Sequence, residues 1–232
     1  MSLIHPNSLA DTVNAVQHAH FFNQPPLAGE RRAAAHWIAA RQGMEGAYAA
    51  FPATTPRDRR LGGHVFTGER FTNAACRHIF GEEACRALLL LEVKEKPVQA
   101  ALDRAAERML DILHGHERQP VTRFGDSVGC YCCGRCSVSL WRHLTAGGLA
   151  QEERRLAAGV ATLKRHRDGT GEWRVFPFAY TVLALLEIDL PAAREELRYA
   201  APRCERMVRQ NRHRTVFEKR RLAVAERALA IT

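Results

Sequence analysis

The segment "GCYCCGRC", residues 129–136, places four of the chain's seven cysteines, Cys130, Cys132, Cys133 and Cys136, within seven residues. Thiolates at this density suit zinc or another soft metal. A tetrahedral ion with Zn–S of about 2.3 Å needs ligands from different directions, and structural zinc sites usually draw them from two separated pairs. Here a single Cys-x-x-Cys half-site, Cys133 and Cys136, has Cys132 and Cys130 close behind it. These four are the candidate metal ligands, with zinc as the expected ion. His143 is excluded, because from a helix starting near Cys136 it lies seven residues on, or about 10.5 Å along the axis at ~1.5 Å per residue. His114, His116, Cys76, Cys85 and Cys204 remain as residues that can fold back onto the loop.

Two other readings of the loop stay open. In "CGRC" a cysteine at a helix N-terminus beside Arg135 has its thiolate stabilised by backbone N–H groups and positive charge, the setting of a reactive thiol. The strand that precedes thioredoxin-like motifs is missing here. The third reading is a set of inert loop and buried cysteines. The odd count of seven argues for thiols or ligands rather than a disulfide framework.

Elements that must position these residues are helical. Apolar residues recur at spacings of three and four in "AAAHWIAARQ", "ALDRAAERMLDIL" and "EERRLAAGVATLKRH", and strand-like alternation is almost absent, which predicts an all-α chain of eight to ten helices. "RQGMEGAYAAFP" from Arg41 lies over "HRDGTGEWRVFP" from His166 at a shift of 125, and "ALLLLEV" from Ala87 lies over "VLALLEI" from Val182 at a shift of 95. Each half therefore reads as a helical hairpin, a Gly-x-aromatic-x-x-Phe-Pro loop and a second hairpin. The halves span about 8–114 and 133–229, joined by the Cys-rich loop in one all-α domain, and the first carries about 30 extra residues.

That insertion, Thr54 to Arg77, offers a second group of candidates. His64 and Glu69 can form an acid/base pair, and Arg57 and Arg60 can hold a phosphate or carboxylate. A solvated loop is the plainer reading of the same residues.

Gln42, Gly46 and Tyr48 in "WIAARQGMEGAY" resemble the Gln-Trp repeat of squalene and terpene cyclases and related prenyltransferase-type α/α toroids. Asp168, Gly171 and Trp173 in "RDGTGEW" resemble the same turn, with Arg167 where Gln42 stands in the first copy. The resemblance implies α/α-hairpin repeats forming a partial toroid or curved superhelix, and a scaffold role for those six residues. It implies no cyclisation: an Asp-x-Asp-Asp sequence, an aspartate-rich diphosphate motif and the prenyltransferase zinc ligands are all missing from the sequence. In such a fold Phe178, Tyr180 and Thr181 would open toward a central cavity fit for a small-molecule ligand, although core packing is the plainer reading of the same residues.

Composition bounds the rest. With 46% hydrophobic and 25% charged residues the chain is expected to be globular, and the first residues, "MSLIHPNSLADTVNAVQ", without a basic stretch followed by a long apolar one, make a cytoplasmic location the expectation. Its most apolar run, "ALLLLEV", is far short of the ~20 residues a membrane span requires. A net charge of +9 makes an anionic partner worth testing. The arginine-rich segment from Arg203 to Leu229 would contact nucleic acid through phosphates, but Phe217 is its sole aromatic residue for stacking, so a solvated helical face is the simpler expectation.

Overall fold

The computed structural model describes residues 2–119, 128–210 and 215–232. Within them run α1 (Leu9–Phe21), α2 (Ala28–Ala39), α3 (Pro56–Leu61), β1 (Gly63–His64), β2 (Arg70–Phe71), α4 (Asn73–Leu91), α5 (Lys96–Glu117), α6 (Gly134–Thr145), α7 (Glu152–Arg165), α8 (Phe178–Glu187), α9 (Pro191–Gln210) and α10 (Val216–Leu229). The described residues are thus all-α apart from one short antiparallel pair, Gly63 with Phe71 and His64 with Arg70. Of the arginine-rich segment, residues 211–214 lie outside the described residues.

The chain divides into two compact units, residues 1–66, 70–112 and 146–149 in the first, and residues 67–69, 113–145 and 150–232 in the second. In the first, α1 and α2 pack on α4, burying Leu9, Val13, Ile38, Ile79 and Leu88. One buried carboxylate organises the start of this unit. Asp58 accepts hydrogen bonds from Ser8 Oγ and Leu9 N, both at 2.7 Å, and closes a capping box with Thr55 at the head of α3. It therefore satisfies backbone donors at the beginnings of two helices that would otherwise be left unpaired.

In the second unit α6 packs on α7 and α8, and α9 on α7, α8 and α10. Trp141, Leu163, Tyr180, Leu197 and Val224 form its core.

Helix boundaries recur at the two offsets found in the sequence. The first residue of α1 maps onto that of α6 at 125, α2 maps onto α7 to within one residue, and Lys96 of α5 maps onto Pro191 of α9 at 95. Gly46 and Gly171, 125 apart, have φ of +89° and +94°, a backbone conformation that a side chain would strain. Gln42 Nε2 donates to Ala101 O at 2.9 Å, and Arg167 NH2 donates to Glu196 Oε1 at 2.8 Å. Both side chains thus tie their loop to the later helix of their own unit, at partners 95 residues apart.

Candidate metal centre

The Cys-rich loop is held from behind by residues that only close packing explains. Gly129 has φ of +71°, and a Cβ there would run into the carbonyl of Arg155 on α7. Its own carbonyl accepts the indole N–H of buried Trp141 at 2.7 Å. Gly159 of α7 leaves room for that indole, since a Cβ at this position would overlap Trp141 Nε1. Trp141 also stacks on Phe176 with ring centroids 5.6 Å apart. A tryptophan buried this fully needs a partner for its N–H, and the loop backbone provides it.

From this anchor the chain turns into α6. Ser137 Oγ accepts from Tyr131 N at 3.0 Å and donates to Cys133 O at 2.9 Å. The same carbonyl takes the N–H of Ser137 at 3.0 Å, so Cys133 stands at the N-terminal cap of the helix and Cys136 in its first turn.

This geometry gathers three sulfurs. The donor atoms of Cys132, Cys133 and Cys136 all lie within 4.8 Å of one another, and those of Cys133 and Cys136 are hydrogen-bonded at 3.3 Å. A tetrahedral ion with Zn–S bonds of about 2.3 Å separates its sulfurs by about 3.8 Å, so the trio is spaced to hold a metal after small side-chain movements. Cys132 is exposed, Cys133 half-buried and Cys136 buried, which leaves the group open to solvent on the Cys132 side. Among the described residues, this is the group of histidine, cysteine and acidic side chains that converges closely enough for a metal.

The negative charge belongs on Cys133. The hydrogen bond with Cys136 holds its thiol down at about 5 against the opposing effect of burial, with help from the backbone N–H groups of Cys136 and Arg135 and the side chain of Cys132. Burial, and then the charge on Cys133, push the Cys132 thiol up. The expected thiolate-stabilising helix terminus is therefore present, acting through backbone groups and the neighbouring thiol.

Of the four cysteines expected as ligands, Cys130 is buried and lies outside the converging trio. Cys76, Cys85 and Cys204 are buried and also outside it. Burial raises the thiols of Cys76 and Cys204 to about 11 and that of Cys85 further still. His116 approaches the loop through Tyr131, at 5.6 Å between rings.

The other candidates stand apart from the thiols. His64 is an exposed residue of β1, with its imidazole pKa lowered by partial desolvation and by Arg70. Glu69 accepts a hydrogen bond from Thr67. Arg57 pairs with Asp11 at 2.8 Å on the surface, and Arg60 is exposed on α3. Tyr180 and Thr181 are fully buried, Thr181 Oγ1 donating to Pro177 O at 2.7 Å and Tyr180 lying under the Arg142 guanidinium. Phe178 stacks on Trp173 at 6.1 Å. A cleft of 310 Å³ opens instead in the first unit, between the start of α2 and residues 92–95, and none of these candidates lines it.

Sequence reasoning missed the supports of the loop, Gly129, Ser137, Trp141 and Gly159. Trp141 carried the available signal, since its indole N–H demanded a buried acceptor. Sequence reasoning also passed over a polar stretch of α4, where His78, Glu82, Glu83 and Arg86 are all buried. There Tyr48 stacks on His78 at 4.6 Å, and Gln17 donates to Glu83. No protein-family model, characterised protein or solved structure matches the chain.

Proposed function

We propose that this is a metal-binding α/α-repeat protein whose Cys132, Cys133 and Cys136 hold a thiophilic ion, zinc first among them. The observation that carries this reading is the convergence of three sulfurs within 4.8 Å at the start of α6, on a backbone fixed by Ser137 and Trp141. Three protein thiolates leave one position of a tetrahedral ion for water or a small ligand, as catalytic zinc sites do. Bound there, zinc would supply Lewis acidity. The chain's own residues supply charge at Cys133, solvent access at Cys132 and a rigid wall at Cys136.

The recurrence of helix boundaries at offsets of 125 and 95 supports hairpin repeats of the toroid or superhelix type. Cobalt(II) substitution tests the site. The reading requires thiolate-to-cobalt charge-transfer bands and tetrahedral ligand-field absorption, both lost in Cys133→Ser. An octahedral spectrum without charge transfer would contradict it.

A second reading, an interaction module for an anionic partner such as nucleic acid, draws on charge. The second unit holds 21 Lys and Arg against 14 Asp and Glu, or +7 of the chain's +9. Binding to single-stranded RNA that weakens steeply with salt would favour it.

A further inference from the structure

The sulfurs of Cys133 and Cys136 are already in contact at 3.3 Å, against a bond of about 2.05 Å in a disulfide. The backbone between them is fixed by the first turn of α6, closed by Ser137 N on Cys133 O at 3.0 Å. Cys132 and Cys133 are adjacent, and a bond between them would have to close across one planar peptide. Exposure is graded in the useful order. An incoming molecule reaches half-buried Cys133, while Cys136, 5% exposed, sits behind it.

We infer that the metal-free loop is a dithiol that reduces low-molecular-weight disulfides, with Cys133 attacking and Cys136 resolving. The inference rests on the same sulfurs as the metal reading and adds a substrate class to them. The Cys133 thiolate attacks one sulfur of RS–SR, a new S–S bond forms to Cys133, and the first RS⁻ leaves with the electron pair of the old bond. Cys136 then gives up its proton to solvent and attacks Cys133 Sγ, closing the internal disulfide and expelling the second RS⁻. Two protein thiols are oxidised by two electrons, and the substrate disulfide is reduced to two thiols. Joined to each other, the two sulfurs no longer carry the charge that metal–thiolate bonds require, so oxidation and metal binding exclude one another.

The test treats the reduced, metal-free full chain with glutathione disulfide and maps the products by mass spectrometry after an acid quench. The expected product is a Cys133–Cys136 disulfide with both glutathione halves released. Cys136→Ser stops at a glutathione adduct on Cys133, with Cys136→Ala as its replacement should the serine variant lose helical circular dichroism. Accumulation of an adduct on Cys132 with no internal bond overturns the inference, as does full release of both halves by Cys136→Ser. Zinc uptake by the reduced chain is measured alongside. A chain that oxidises as stated but takes no zinc keeps this inference and loses the metal reading; one that takes zinc and never joins Cys133 to Cys136 does the reverse.

Discussion

The sulfur of Cys136 lies 3.3 Å from that of Cys133 and stabilises its thiolate, while Cys132, one residue earlier, is pushed the opposite way. Neighbouring thiols thus carry different charges at neutral pH. With its thiol held at about 5, Cys133 is ionised throughout the neutral range. Iodoacetamide added to the metal-free protein should label Cys133 first, at a rate that is flat across neutral pH and falls only as the pH drops through its pKa. Cys132 should label more slowly and accelerate as the pH rises above neutrality. Cys76, Cys85 and Cys204, buried with raised thiols, should require denaturant. Peptide mapping of the alkylated chain checks this, and first labelling at Cys132 would count against the charge assignment.

Metal affinity should rise with pH for the same reason. Above the pKa of Cys133 the protons that a metal must displace sit on Cys132, whose thiol is raised, and on Cys136, which is hydrogen-bonded to the Cys133 sulfur, so binding at neutral pH releases protons. Each proton released gives about a tenfold gain in affinity per pH unit. Competition titrations against a chromophoric chelator between about pH 6 and pH 8 should show affinity rising with pH, and a flat profile would mean that neither Cys132 nor Cys136 is a thiolate ligand.

Trp141→Phe keeps an aromatic side chain but removes the N–H that the Gly129 carbonyl accepts, together with part of the buried ring. The expected cost is about 1–2 kcal/mol of stability, since a buried acceptor loses its partner. Loss of the support behind the ligands should also weaken metal binding by about tenfold although no ligand changes. Urea unfolding and the same chelator competition measure the two effects separately. Unchanged affinity beside reduced stability would show that the loop holds its geometry without Trp141.

Arg167 faces Glu196, a carboxylate that is 1% exposed and also accepts the indole N–H of Trp173 at 2.8 Å. Arg167→Ala leaves that buried charge with the indole alone and should destabilise the second unit by about 3 kcal/mol. Adding Glu196→Gln should recover part of the loss, because the charge that lacked its partner is then gone. The shift of the urea midpoint in the single and double variants tests the pairing.

Helix positions were legible because apolar spacing of three and four is a direct consequence of burying one face of each helix. The two offsets were legible because loops that make the same turn need glycine at the same place, as at Gly46 and Gly171. The exchange of Gln42 for Arg167 could not be interpreted beforehand. Its meaning depends on what the next helix presents, the backbone carbonyl of Ala101 in one unit and the carboxylate of Glu196 in the other. Within "GCYCCGRC" the sequence named the donors but could not choose among them. That choice follows from where α6 begins: capping by Cys133 turns Cys136 back toward it, while Cys130 is drawn into the interior beside Gly129 and Tyr131.

Metal content of the chain, purified reduced and without chelator, tests the central claim most directly. The account predicts about one zinc per chain in the parent and in Cys130→Ser, and loss of the metal in Cys132→Ser, Cys133→Ser and Cys136→Ser. A parent chain free of metal, with its loop thiols titrating as free groups after zinc has been offered, would contradict it.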